Sequence, residues 1–315
     1  MSTVSDGAEA HLPLSGQQVH LAAGGYEADI ATVGASLRRL TLNGRDLVVP
    51  FEADEVRPWY RGVLLVPWPN RVIDAAYDLP GLGRQQLAIT EPDRGHALHG
   101  LGLWLDWVVL EQTPSAALFS LVIEPQVGYP FRLIVMAAYT LSADGLETVV
   151  QAVNAGPGVA PYGTGPHPYV VAGPSPLNQW TFTLPAGQVM TVTPDRLIPT
   201  GLAPVAGTEF DFQAGKVIGE TFIDHAFTGL TWDEAGHVTA TVTDPAAGTG
   251  VAVTWDKRCP WVQIHTADQP DPAINRLGLA LEPMTCPPGA FNSGTDVVWL
   301  EEDAHHTAAW TISGW

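Results

Sequence analysis

Three short stretches each place an acid–base side chain where an apolar segment meets a Gly/Pro turn. They are Ala97-Leu98-His99-Gly100, Gly165-Pro166-His167-Pro168-Tyr169 and Leu281-Glu282-Pro283. Two imidazoles and one carboxylate can move protons at neutral pH without a cofactor. A fourth stretch, Pro67-Trp68-Pro69-Asn70-Arg71, adds a guanidinium donor at another predicted strand end. Together these stretches predict an acid–base site assembled from distant parts of the chain.

His167 and Glu282 are the leading candidates for proton transfer. Prolines on both sides of His167 restrict its backbone and remove two N–H donors, which fixes the direction of the imidazole. Glu282 ends the apolar run 277–281, and partial burial there predicts a raised pKa and a usable base. From the residues alone, a histidine in an ordinary Pro-rich loop and a strand-end glutamate facing water stay open as alternatives.

Three further side chains have the chemistry to hold a polar ligand. His99 precedes a glycine, which lets another group approach the backbone closely. Arg71 follows the apolar segment 62–66, and its fork can hold two hydroxyls or a carboxylate. Asp224 lies among aromatic residues, a pairing in which the carboxylate takes hydroxyl protons while ring faces cover sugar C–H groups. An ion pair between Arg71 and one of the chain's 33 acidic residues is the structural alternative.

The elements that position these residues read as β-strands almost throughout. The 32 glycines and 27 prolines interrupt any long helix. Asp144-Gly145 predicts a hairpin turn between strands Phe131–Leu141 and Leu146–Asn154. No apolar stripe predicts a helix of ten or more residues, and 274–279 predicts a single turn. The other predicted strands are Trp104–Glu111, Ala117–Ile123, His237–Thr243, Val251–Trp255 and a closing hairpin of Asp296–Leu300 with Thr307–Ser313.

Composition and charge limit the fold and the partners. Neither a composition break nor a repeat divides the chain, so we predict one large antiparallel β-sandwich over residues 17–315, after a loosely ordered tail at 1–16. The net charge of -19 repels phosphate backbones and anionic lipid, which predicts neither nucleic-acid nor membrane partners. It also argues against an anionic substrate. Monomer and homodimer both stay open.

The N-terminus and the two cysteines favour a reduced compartment. Residues 1–14 show neither a basic region nor an apolar region of a secretory signal, and no apolar run is long enough to span a bilayer. Cys259 and Cys286 form neither a disulfide framework nor a zinc-ligand spacing. We therefore predict a cytoplasmic protein without a metal or another cofactor. His96 and Cys286 lie near candidate residues in the sequence, which does not decide whether they line the site.

The ordered series of motifs resembles the aldose 1-epimerase (galactose mutarotase) family from about residue 17 to the C-terminus. The series comprises Asn70-Arg71, Leu98-His99-Gly100, His167-Pro168-Tyr169, Asp224 and Leu281-Glu282-Pro283 with Asn292. The segments 62–72 and 94–101 look most like a bacterial branch of epimerase-related proteins whose physiological substrate is unsettled. The sequence departs from the mutarotases proper at Pro166, where they have Asn, and at Val170 and Leu101, where they have Phe and Gly.

The resemblance implies a β-supersandwich fold and a cofactor-free site for a monosaccharide. It implies that Glu282 takes the proton from the anomeric C1 hydroxyl and that His167 protonates the ring oxygen. It further implies that Arg71, His99 and Asp224 hold the sugar. Asn70 and Tyr169 complete the predicted substrate-binding set.

The resemblance leaves other functions open. A hexose-6-phosphate epimerase of the same fold needs extra cations, and the chain has 14 Lys and Arg residues in all. A sugar-binding or sensor protein without catalysis would not need both His167 and Glu282. A metal enzyme using two histidines and a carboxylate usually shows closer ligand spacing than this sequence has.

Overall fold

The computed structural model describes residues 11–315 of the chain. Of the predicted tail at 1–16, residues 1–10 lie outside the described residues. The end of that segment is attached to the rest of the molecule. Leu14 N–H donates to Asp54 Oδ1 (3.2 Å), and both the N–H and the hydroxyl of Ser15 donate to the carbonyl of Ala53 (3.1 and 2.6 Å).

The described chain is built almost entirely of β-strands. In chain order these are β1 (Gln18–Ala23), β2 (Tyr26–Ala31), β3 (Ser36–Leu42), β4 (Arg45–Asp46), β5 (Leu64–Leu65), β6 (Arg71–Val72), β7 (Ala76–Leu79), β8 (Gly83–Gln86), β9 (Ala97–Leu98), β10 (Val108–Gln112), β11 (Ala116–Ile123), β12 (Leu133–Ser142), β13 (Gly145–Asn154), β14 (Ala160–Tyr162), β15 (Gly165–Pro166), β16 (Tyr169–Val170), β17 (Thr181–Thr183), β18 (Ala186–Val192), β19 (Pro199–Pro204), β20 (Lys216–Val217), β21 (Asp224–Leu230), β22 (His237–Asp244), β23 (Thr249–Asp256), β24 (Trp261–His265), β25 (Leu279–Met284), β26 (Val298–Leu300) and β27 (His305–Gly314). The prediction of an all-β fold is confirmed.

Helical structure is short. The one α-helix of the described residues, α1, covers Ala290–Ser293, and 3₁₀ turns occur at Pro58–Tyr60, Ile73–Ala75 and Leu177–Gln179. The predicted absence of helices of ten or more residues is therefore confirmed between residues 11 and 315. Along the same residues, no helix has the length and apolar character needed to cross a membrane.

Three antiparallel sheets form the body of the molecule. The largest has nine strands in the order β10-β11-β12-β13-β27-β23-β22-β17-β20. A six-stranded sheet runs β16-β25-β24-β21-β18-β19, and a four-stranded sheet runs β1-β2-β3-β4. One hydrophobic cluster contains Val135 and Val253 of the nine-stranded sheet, Ile264 and Leu281 of the six-stranded sheet and Leu21 of the four-stranded sheet. The three sheets therefore pack over a shared core.

The strands follow the period-2 alternation that a half-buried sheet requires. Strand β12 alternates buried and more accessible residues from Leu133 to Ser142, and β22 does so over most of its length. The hairpin predicted at Asp144-Gly145 is present, with Ser142 paired to Gly145. Its turn suits glycine, because Gly145 has φ 117°.

Two predictions about strand ends are wrong. Segments 296–300 and 307–313 do not form a closing hairpin, because β26 pairs with β14 whereas β27 lies between β13 and β23. Glu282 does not end its strand but lies inside β25, where Pro283 opposes Val262 of β24. On the other side of β25, Leu281 N–H donates to Pro168 and Thr285 N–H to Thr164. These long-range pairings let β25 continue past a proline that reads as a stop in the sequence.

Candidate active site

A cavity of about 420 Å³ opens over one face of the six-stranded sheet. All seven predicted site residues line it: Asn70, Arg71, His99, His167, Tyr169, Asp224 and Glu282. They come from parts of the chain more than 200 residues apart. The fold therefore brings the complete predicted set together in one place, which we call the site cavity.

Strand register places five of the lining side chains on the same face of the sheet. Glu282 on β25 is paired directly with Gln263 on β24, and His265 follows Gln263 by two residues. Asp224 on β21 is paired with His265, and Tyr169 on β16 is paired with the residue two positions before Glu282. Paired residues and residues two apart share a face. The alternate residues of β24 and β25 point into the core.

Connecting segments bring the remaining side chains over this face. Strands β6 and β9 pair Arg71 with the residue before His99, and His99 N–H donates to the Asn70 carbonyl (2.8 Å). Asn70 and His99 both have left-handed backbones, with φ of 54° and 65°. Such conformations cost about 1–3 kcal/mol each and persist where the surrounding structure enforces them. His167 is held by two backbone hydrogen bonds, which its N–H donates to Val63 and its carbonyl accepts from Gly62.

His167 and Glu282 form a pair at the floor of the site cavity. The distance from His167 Nε2 to Glu282 Oε1 is 3.4 Å. His167 is 5% exposed and Glu282 is 1% exposed. Among the described residues, neither His167 Nδ1 nor Glu282 Oε2 has a hydrogen-bond partner. The pair therefore retains hydrogen-bonding capacity that a bound ligand can use.

Burial determines the protonation of this pair. Loss of hydration raises the pKa of Glu282 well above its usual value, and the negative charge of Asp224 raises it further. Burial, together with the positive charge of His265, lowers the pKa of His167 to about 3. Both pKa changes favour the uncharged forms, a carboxylic acid beside a neutral imidazole. Transfer of the carboxyl proton across the short gap produces a carboxylate facing an imidazolium.

A second cluster fixes the guanidinium of Arg71. Glu91 accepts from Arg71 Nε (2.8 Å) and from Arg71 Nη2 (2.9 Å), and Arg94 Nη1 donates to the same carboxylate (2.8 Å). Asn70 Oδ1 accepts from the Arg71 backbone N–H (3.0 Å) and from Nη1 (3.3 Å). The ion pair that the sequence left open is thus present, and Arg71 lines the site cavity as well. Three hydrogen bonds set the position of the guanidinium, and the two to Glu91 form a bidentate fork.

Asp224 and Gln263 provide hydrogen-bond acceptors in the site cavity. Gln263 Nε2 donates to Asp224 Oδ1 (2.7 Å), which leaves Gln263 Oε1 buried without a partner among the described residues. Burial alone raises the pKa of Asp224, but the positive charges of His265 and Arg71 outweigh it and hold that pKa below its usual value. Asp224 is therefore ionised at neutral pH. Both groups present oxygens that accept hydrogen bonds from a ligand's hydroxyls.

A family model described as aldose 1-epimerase matches residues 17–313. The chain belongs to the aldose 1-epimerase family. The uncharacterized protein YihR of Escherichia coli is 38% identical over 303 residues, which cover 95% of this chain and 94% of YihR. The structure of a GalM/aldose epimerase homologue from C. elegans superposes with a TM-score of 0.82 at 20% identity, covering 94% and 98% of the two chains. Galactose 1-epimerase from Lactobacillus acidophilus has a TM-score of 0.77 at 18% identity, covering 93% and 92%.

Four residues that line the site cavity and contribute to its geometry were not predicted from the sequence. Gln263 and His265 alternate with apolar residues in β24, a pattern that could have indicated a strand with one polar face. Glu91 lies in an exposed-looking Pro-Asp-Arg-Gly turn, and nothing local links it to Arg71. Tyr60 follows a proline in a short 3₁₀ turn and packs against the ring of His99.

Three residues that lie near the motifs in the sequence do not line the site cavity. His96 is buried outside the site cavity, where Nδ1 accepts from Asp74 N–H (3.1 Å) and Nε2 donates to the Arg196 carbonyl (3.0 Å). Cys286 is buried outside it too. Asn292 in α1 hydrogen-bonds the backbone at Ile73 and so braces the segment after Arg71.

Between residues 11 and 315, no group of three or more His, Cys, Asp or Glu side chains is arranged to hold a metal ion.

Proposed function

We propose that the protein is an aldose 1-epimerase that interconverts the α and β anomers of a free aldose. The observation that carries the proposal is the buried His167–Glu282 pair, 3.4 Å apart, on the floor of a cavity lined with hydroxyl-binding groups. Ring opening of a cyclic aldose requires one proton to leave the C1 hydroxyl and one to reach the ring oxygen. A carboxylate and an imidazolium side by side provide this exchange.

In the proposed reaction, Glu282 takes the proton of the C1 hydroxyl while His167 donates its proton to the ring oxygen. The bond between C1 and the ring oxygen breaks, and C1 becomes a carbonyl carbon. Rotation about the C1–C2 bond presents the other face of the carbonyl. On ring closure His167 takes back the proton of the hydroxyl that re-forms the ring, and Glu282 gives its proton to the carbonyl oxygen. The site then ends in its starting state with the anomer inverted.

The opposed pKa changes of the pair fit this cycle, because they favour a protonated carboxyl beside a neutral imidazole. In the proposed complex, sugar hydroxyls supply the polar contacts that stabilise the charged form of the pair. Asp224 and Gln263 accept hydrogen bonds from the sugar, and Arg71 and His99 donate to it. Because the site groups that bind and those that react lie within one cavity, a single pyranose can contact both sets.

The charge of the cavity favours an unphosphorylated substrate. Its lining contains two arginines, Arg71 and Arg94, and both are committed to the carboxylate of Glu91. Four further acidic residues line the cavity: Asp93, Asp224, Asp268 and Glu282. A phosphate dianion would therefore meet these acidic groups with neither arginine free to pair with it. We infer that a hexose-6-phosphate is a poorer substrate than the free sugar.

The test is anomer exchange measured by polarimetry and NMR on freshly dissolved aldoses, each with and without a 6-phosphate. We expect at least one free aldose to equilibrate faster than the buffer blank, and Glu282→Gln to lose that acceleration. An unaccelerated panel together with measurable sugar binding would instead support a sugar-binding protein. Faster exchange of the phosphorylated sugars would overturn the substrate assignment.

A further inference from the structure

The imidazoles of His99 and His167 lack the hydrogen bond that usually orients a functional histidine. Such a ring is commonly held by a partner at the nitrogen opposite the one that reacts. Here Nδ1 of both rings is buried and has no partner among residues 11–315. Both side chains are nevertheless confined to one place, since each residue is 5% exposed. No hydrogen bond at Nδ1 therefore sets the plane of either ring.

Aromatic side chains surround the two imidazoles. The Tyr60 ring lies 4.9 Å from the His99 ring, at 61° to it, and 6.1 Å from the His167 ring. The two imidazoles are 5.0 Å apart and nearly perpendicular, at 83°. Tyr169 covers His167 from another side at 5.2 Å. Tyr60 is thus the one tyrosine of the described chain that packs on both imidazoles.

The backbone that holds the Tyr60 ring against the two imidazoles has an energetically unfavourable conformation. Trp59 and Tyr60 both have left-handed backbones, with φ of 49° and 60°. Tyr169 Oη donates to the Trp59 carbonyl (3.1 Å), which ties the turn to the strand beside Glu282. Arg57 anchors the other end, since its buried guanidinium donates to the carbonyls of Val33 and Leu103.

We propose that Tyr60 is a positioning residue whose ring sets the planes of His99 and His167. The proposal rests on the proposed function for its catalytic consequence, but not for the geometry itself. The ring, rather than the hydroxyl, makes these contacts, because Tyr60 Oη forms no hydrogen bond with the described residues. Without the ring, both imidazoles can turn, and the proton of His167 no longer points at the ring oxygen of a sugar.

Two substitutions separate the ring from the hydroxyl and from the backbone. Tyr60→Phe keeps the ring. Tyr60→Gly removes it while suiting the left-handed backbone, so the turn itself should persist. Asp303→Gly is the matched control, because Asp303 is exposed, lies outside the site cavity and has a similar φ of 61°. Tyr60→Leu is a second ring-free variant should glycine loosen the turn, and melting temperatures verify folding in each case.

The readouts are the imidazole NMR signals of the free protein across pH and the separate kcat and KM of anomer exchange. We expect Tyr60→Gly to shift both imidazole signals, to move the His167 pKa toward 6.5 as water enters, and to lower kcat roughly 10- to 100-fold with a smaller rise in KM, because His99 is one of several groups proposed to hold the sugar. We expect Tyr60→Phe to keep the wild-type imidazole signals, and Asp303→Gly to match the wild type in both readouts.

Unchanged imidazole signals in a folded ring-free variant would overturn the proposal. An equal loss of kcat in Tyr60→Phe would assign the effect to the hydroxyl and would overturn it too. If the wild type exchanges no aldose, the proposed function fails, while the NMR comparison still decides what Tyr60 does to the two rings.

Discussion

Replacing Glu282 with glutamine should show what the carboxyl contributes to turnover and what it costs in stability. The carboxyl is 1% exposed, and Oε2 has no partner among the described residues. Glutamine has nearly the shape of the protonated carboxyl and can occupy the same position beside His167. The substitution therefore removes the base without leaving a cavity. We expect turnover to fall roughly 10²- to 10⁴-fold, the usual contribution of a positioned acid–base group.

The same substitution should change how stability depends on pH. The native pKa of Glu282 lies well above 4.5, whereas the unfolded chain has an ordinary value near 4.5. Above pH 4.5 the unfolded wild type therefore binds fewer protons than the native state, and its free energy of unfolding falls by about 1.4 kcal/mol per pH unit until the native carboxyl ionises. Glutamine does not titrate. The free energy of unfolding of the variant minus that of the wild type should consequently increase with pH over this interval.

Urea titrations at a series of pH values between 5 and 9 measure this difference, and NMR exchange measures turnover. Because His167 is present in both proteins, its contribution cancels to first order. Glu301→Gln, in an exposed turn, is the matched control and should show neither effect. A variant that turns over near the wild-type rate would mean that another group is the base. A pH-independent stability difference would mean that Glu282 is ionised in the native protein.

Three further predictions test the other parts of the site. Arg71→Ala should raise KM roughly 10- to 100-fold with a smaller fall in kcat, because a charge-assisted hydrogen bond to the sugar is lost in ground and transition states alike; steady-state exchange kinetics would contradict this if kcat alone collapsed. The pH profile of kcat/KM should show no acid limb between pH 7 and about 5, since burial lowers the pKa of His167 to about 3; an acid limb centred near 6.5 would show an unperturbed imidazole instead. Activity should survive dialysis against a strong chelator, with elemental analysis verifying that the protein is metal-free. A loss of activity that one particular metal restores would refute the acid–base assignment.

The sequence alone determined the local structure. The Asp144-Gly145 turn and the alternation in β12, β13 and β22 can be predicted from neighbouring residues. Turn geometry and the period of a strand depend on contacts within a few positions. The same holds for the candidate residues themselves. Each of the seven is a chemically distinctive side chain beside an apolar run or a Gly/Pro turn, and their order along the chain was enough to suggest the family.

Only the tertiary structure decided how those residues meet. Whether β26 pairs with β27 or β14 depends on competition between distant strands, and the sequence reading chose the wrong partner. Glu282 lies opposite Gln263 because of strand register, and Glu91 contacts Arg71 although the two residues are 20 positions apart in the chain. The opposed pKa shifts of His167 and Glu282 arise from burial by the surrounding fold. Register, pairing partner and desolvation are properties of contacts between remote segments, which is why a local pattern could name the acid and the base but could not place them 3.4 Å apart.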